Sequence, residues 1–172
     1  MNNAPKCLIS ILILSMGASF AIADDETRIV QATATMSATP ENVLLAFLNN
    51  DDLEAWWKVS RSLIEQKVGG VWSVTWDDWG PDKTQHAWVG VIETITERKL
   101  VVGHLIMIEP GMPLMGPMQL EISVTPAASG STVSISHRGY GYGAHWDSMY
   151  DAVVLGWDHV LDDMRVWYLK EY

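Results

Sequence analysis

The sequence predicts an α+β fold: a curved antiparallel sheet of about six to seven strands wrapped around one long C-terminal helix, with two short helices after the first strand. Three observations predict it. Stretches that alternate apolar and polar residues recur from residue 28 to residue 138, most of them ending at glycine, proline or a polar turn. The links between the later stretches are too short for parallel crossovers, so neighbouring strands run antiparallel. The last stretch, residues 144–170, switches from a period of two to a helical period and carries an apolar stripe.

Each element has its own justification. In "RIVQATATM", residues 28–36, Val30, Ala32, Ala34 and Met36 face one way and Gln31, Thr33 and Thr35 the other, which is a half-buried strand. Thr39 then suits an N-cap, Pro40 the first helical position and Glu41 the positive helix end, so a short helix runs through Leu48. "NNDDLEAWW" reads as a turn and a second short helix. "SLIEQKV" stops at the Gly69–Gly70 break, and "VWSVTWDDW" places Trp72, Val74 and Trp76 on one face. "HAWVGVIETIT" and "KLVVGHLIMI" follow, split by a polar "ERK" turn, and "EPGMPLMGP" is a loop by its glycine and proline content. "MQLEISVTP" and "STVSISHRG" alternate cleanly, the second with Val133, Ile135 and His137 on its apolar face. The closing helix, at 1.5 Å per residue, is roughly 40 Å long. Met149, Val153, Gly156, Val160, Met164 and Trp167 form its apolar stripe, opposite Asp147, Asp151, Asp158, Asp162 and Arg165.

The chain has 172 residues, of which 48% are hydrophobic, enough for one domain with a real core. Its formal net charge of −10 disfavours nucleic acid and anionic lipid as partners. Lys6, the short apolar run Leu8–Leu14 and the small-x-small triplet Ala21-Ile22-Ala23 read as a signal peptide over residues 1–23, cut after Ala23. The alternative is an uncleaved anchor, but the run is short of the ~20 residues a span needs. The mature chain, residues 24–172, is then exported to a periplasmic or extracellular space, without a stable membrane span. The only cysteine, Cys7, falls inside the leader, so the mature chain forms no disulfide and offers no thiolate nucleophile or metal ligand.

A long helix buries its stripe on the concave face of the sheet, and large indoles at Trp72, Trp76 and Trp157 are expected to leave a cavity between the two. Gly156, a poor helix residue beside Trp157, lets the helix backbone approach a neighbour closely or makes room at that cavity, or only accommodates a bulky strand side chain with no pocket. The stretches "ATPENVLLAFLNNDDLEAWW", "KVGGVWSV", "GVIETITERKLVVGH", "GSTVSISHRG" and "LGWDHVLDDM" together resemble the helix-grip superfamily of START, Bet v 1 and polyketide cyclase proteins (SRPBCC). Within it they are most similar to the branch related to the C-terminal domain of the Hsp90 ATPase activator Aha1. The resemblance covers nearly the whole mature chain and implies the helix-grip fold; the superfamily includes carriers, cyclases, sensors and cochaperones, so it assigns no single function. It departs at His104, where members often carry an aromatic residue. An exported chain would meet neither Hsp90 nor ATP.

Candidate chemistry is sparse. By alternation His104 shares a face with Leu100 and Val102, and His137 with Val133 and Ile135, which aims both imidazoles at the cavity as hydrogen-bond partners or acid–base groups; the competing reading is structural histidines satisfied by their neighbours. On the helix, His159 and Asp163 are four apart beside His145, spacing that suits a solvated rim pair better than a metal site. Gly139, Gly141 and Ala144 fit G-x-G-x-x-A, but no parallel strand follows, so they read as a flexible entry to the helix. Nine tryptophans suit either a pocket for a flat apolar ligand or an ordinary core. Met112, Leu114 and Met115 form either an adaptable portal or a loop folded onto the sheet.

These readings converge on an exported binding protein for a small hydrophobic molecule, without a cofactor or metal. The lining residues expected are Trp72, Trp76, His104, His137, Met149, Val153, Trp157 and Val160. The rivals are a cyclase- or aromatase-like enzyme using His104 or His137, and a protein-interaction module using an exposed sheet face or the methionine loop.

Overall fold

β1, Arg28–Met36, forms because its alternating residues bury Val30, Ala32 and Met36 against the interior while Gln31, Thr33 and Thr35 stay in solvent. These residues belong to a computed structural model that describes residues 28–79 and 83–171. The stretch read as an export signal, with Cys7, lies outside the described residues.

The chain then leaves the sheet edge through α1, Pro40–Leu45, and α2, Asn50–Trp57. Thr39 Oγ1 accepts from the Asn42 N–H at 3.3 Å, and Pro40 opens α1 as expected, although the helix ends at Leu45 rather than Leu48. Asn49 caps α2 by accepting from the Asp51 and Asp52 N–H groups, and Lys58 closes it in the left-handed region at φ 57°.

The remaining strands are β2, Arg61–Ile64; β3, Val71–Trp79; β4, Thr84–Ile95; β5, Lys99–Ile108; β6, Met115–Ala127; and β7, Gly130–Tyr140. Each pairs antiparallel with its neighbours in the order β1-β7-β6-β5-β4-β3-β2. β1 and β2 thus occupy opposite edges, and α1 and α2 carry the chain across between them. The concave face holds the core, with Trp72, Val74 and Trp76 of β3 and Leu120, Ile122 and Val124 of β6 buried along it.

α3, Ala144–Glu171, closes the fold and rests against β1, β7 and α2. Its buried stripe is Val153, Trp157, Val160, Leu161, Met164 and Tyr168, with Met149, Gly156 and Trp167 half-buried beside it. Arg28 pegs the start of the helix to β1: its guanidinium bonds Asp147 at 2.8 Å and the Gly141 carbonyl, and lies over the rings of Tyr142 and Tyr150. Gly139 and Gly143, both at positive φ, make the turn that aims α3 back across the sheet. Among the described residues no helix is long and apolar enough to cross a membrane.

Replacing Thr39 by alanine removes the α1 cap and should cost about 1 kcal/mol. Denaturant unfolding would show it as a lower midpoint with an unchanged slope; an unchanged midpoint would mean that the cap contributes nothing.

Candidate functional site

The site is built around an aromatic cluster centred on Trp57. Its indole lies 5.2 Å from Trp56 and Trp76, 5.4 Å from Trp157, 5.9 Å from Trp88 and 6.3 Å from Trp72, centroid to centroid. Most of these rings meet edge to face or tilted, the arrangement ring quadrupoles favour. Three indole N–H groups of this cluster donate to backbone carbonyls. Trp56 donates to Ala46 O at 3.0 Å, Trp72 to Phe47 O at 3.1 Å and Trp76 to Trp57 O at 3.0 Å. All three carbonyls sit at the C-terminal ends of α1 and α2, where the helices leave carbonyls without internal partners. The tryptophans therefore cap the two short helices while filling the concave face. Trp72, Trp76 and Trp157 were expected to leave a cavity between sheet and helix; they pack around Trp57, and Trp76 and Trp157 also line a cavity there.

What remains is a cavity of about 100 Å³. Trp57 of α2, Trp76 of β3, His86 and Trp88 of β4 and Met107 of β5 line one side. Met149, Ala152, Val153, Gly156, Trp157 and Val160 of α3 line the other. Exposed Ala152, with half-buried Met149 and Gly156, marks where it meets solvent. A methyl group built on Gly156 meets nothing within 4 Å. The glycine therefore does not serve close packing; it leaves space at the cavity. His86 Nε2 lies 3.4 Å from a Glu109 carboxylate oxygen, both side chains being largely buried.

Of the eight residues expected to line the cavity, Trp76, Met149, Val153, Trp157 and Val160 do so. Trp72 is fully buried in the aromatic cluster instead, because its N–H is held by the α1 terminus. His104 must be corrected. Its side chain is 76% exposed and lies 3.8 Å from Glu93 on the outer face of the sheet. The cause is a bulge: pairing between β5 and β6 shifts register between Val102 and Leu105, with His104 at φ 50°. Inward residues run Leu100, Val102 before the bulge and Leu105, Met107 after it. The same bulge that turns His104 out turns Met107 in. Gly103, a glycine inside a strand, is the sequence signal for it.

His137 faces inward and is fully buried, one layer behind the cavity wall, 5.3 Å from Trp88 and 6.4 Å from Trp157. Its Nδ1 lies 2.7 Å from Tyr140 Oη and 3.5 Å from Trp157 Nε1. An indole N–H only donates, so Nδ1 accepts and the proton sits on Nε2. Nε2 has no hydrogen-bond partner among the described residues. Burial lowers the imidazole to about 3 from its usual value near 6.5, so it is neutral at neutral pH. Burial, then the neighbouring Tyr150, pushes the Tyr140 phenol above its ordinary value.

The other candidates fall outside the cavity. His159 and Asp163 form an exposed pair at 3.6 Å, and His145 is exposed. Among the described residues no three metal-binding side chains cluster. Met112 and Leu114 are exposed, whereas Met115 begins β6 and is buried. Alternation in β4 could have revealed Trp88 and His86, which share parity with buried Ile92. Trp57 carried no such signal, because both tryptophans of its pair are buried.

The chain matches the family model described as Activator of Hsp90 ATPase homolog 1-like protein over residues 37–167. No curated protein matches it. An AHSA1 protein from Silicibacter pomeroyi is similar in structure, with TM-score 0.68 and 13% identity, over 84% of this chain and all of that one. An uncharacterized protein from Rhizobium leguminosarum has TM-score 0.68 and 14% identity, over 85% of this chain and 97% of its own. A protein from Chromobacterium violaceum has TM-score 0.64 and 22% identity, over 80% of this chain and 94% of its own. At these identities the likeness is one of fold.

The buried neutral imidazole makes stability depend on pH. Between about pH 6.5 and pH 3 the unfolded chain binds a proton that the folded chain refuses, so stability falls on acidification. The His137 component approaches 1.4 kcal/mol per pH unit. Denaturant midpoints at several acidic pH values should fall more steeply for the native chain than for His137→Gln. Parallel pH profiles would show that His137 does not carry this linkage.

Proposed function

This chain belongs to the Activator of Hsp90 ATPase homolog 1-like family, and from that premise we propose that it is a binding protein whose site for a small hydrophobic ligand lies between the sheet and α3. One observation carries the reading: Gly156 leaves space at an indole-lined, mostly apolar cavity between the sheet and α3. An empty apolar cavity costs stability, roughly 24 cal/mol per Å³, and a guest recovers part of that loss.

The volume limits the guest. An apolar cavity of about 150 Å³ accepts benzene, and pockets for drug-sized molecules span about 300–1,000 Å³. A cavity of about 100 Å³ therefore suits a compact group, either a small molecule or the end of a larger one. The cyclase- or aromatase-like reading loses its support, since it needs His104 or His137 in the cavity and neither lines it. Export of the chain as a mature protein from Asp24 is part of the proposal and rests on the leader-like pattern of residues 1–23.

Two measurements test this. Benzene should quench or shift the intrinsic tryptophan fluorescence of the native protein in a saturable way. Gly156→Ala adds a methyl in open space and improves the helix by about 1 kcal/mol, raising Tm by about 2–4 °C; Gly156→Leu fills the cavity and should abolish the benzene response. Equal responses from the native chain and Gly156→Leu would place any binding elsewhere. For export, N-terminal sequencing of the secreted or periplasmic fraction should begin at Asp24; an intact Met1 start in that fraction would remove the cleavage proposal.

A further inference from the structure

The cavity wall is aromatic as well as apolar. Four indoles contribute to it, from Trp57, Trp76, Trp88 and Trp157. The N–H groups of Trp76 and Trp157, the positive poles of those rings, are turned onto Trp57 O and His137 Nδ1. The thioethers of Met107 and Met149 add polarizable, weakly accepting sulfur. Among the described residues no lysine or arginine lines the cavity, while the Glu109 carboxylate lies 3.4 Å from the His86 imidazole in its wall. The whole chain carries a formal charge of −10.

From this chemistry we propose that the cavity binds a methylated ammonium group, such as the trimethylammonium head of a choline-type molecule. The inference rests on the cavity being a ligand site and narrows what that site takes. An anionic head is disfavoured by Glu109 and the absence of a lining cation. A primary ammonium is disfavoured because it gives up water and finds almost no acceptors in the wall to replace it. A methylated ammonium has few or no N–H donors to satisfy, presents methyl groups to the indoles and keeps a positive charge for their π-faces. Its compact, nearly spherical shape suits a cavity of about 100 Å³. The acidic surface of the chain draws cations toward the mouth.

The test compares choline with 3,3-dimethyl-1-butanol, its neutral isostere, by calorimetric titration of the full chain. Choline should bind about tenfold more tightly or better, the isostere supplying the same shape without the charge. Glu109→Gln should narrow that preference several-fold while leaving the isostere unchanged, and Gly156→Leu should abolish choline binding. Equal or better binding of the isostere overturns the cation proposal but leaves the apolar cavity as a ligand site. Choline binding that survives Gly156→Leu also overturns it, by placing the cation elsewhere. If choline, the isostere and benzene all fail to bind, both proposals fall together.

Discussion

The packing of Trp57 is the constraint on which the rest of the structure depends. Its indole touches rings from α2, β3, β4 and α3, and so lies where the sheet, the short helices and the long helix meet. Aromatic burial alone would leave three N–H groups to satisfy in a dry interior. The fold supplies their partners from the open ends of α1 and α2, which themselves need donors. Two deficits cancel. A crossover made of two very short helices, marginal by itself, is thereby fixed to the sheet and fixes Trp57 in turn.

The cavity is the remainder of that packing. The indoles pack against each other and, on the side facing α3, also line the cavity. There α3 places Gly156 one residue before Trp157, so a large side chain enters the cluster beside a position that contributes no volume. The glycine weakens the helix locally. The surrounding length of α3, its buried stripe and the Arg28 peg at its start hold the helix regardless. A small aromatic cavity has room for a compact group but not for a long chain.

Polar chemistry is set at the margins. His86 and Glu109 place a carboxylate 3.4 Å from an imidazole of the aromatic wall, while His137 is held neutral behind it by burial. Neither arrangement could be inferred from residue type. His86 and His104 look alike in sequence, each inside an alternating strand. One reaches the cavity and the other points to solvent, solely because β5 carries a bulge between Val102 and Leu105.

Much of the architecture was legible in the sequence because it depends on local periodicity. β1, the Thr39 cap, the run of antiparallel strands and a final helix starting at Ala144 all follow from patterns within a few residues. The α3 contribution to the cavity was legible too, since one helical stripe has only one face to bury. The sheet and α2 contribution was not. Whether Trp72 lines the cavity or caps a helix, whether His104 or Met107 faces inward, and how Trp57 gathers five other tryptophans are decided by pairing between distant segments. Alternation specifies a side only up to the first register shift. A single inserted residue reverses it, and the tertiary structure alone reveals which way each side chain then points.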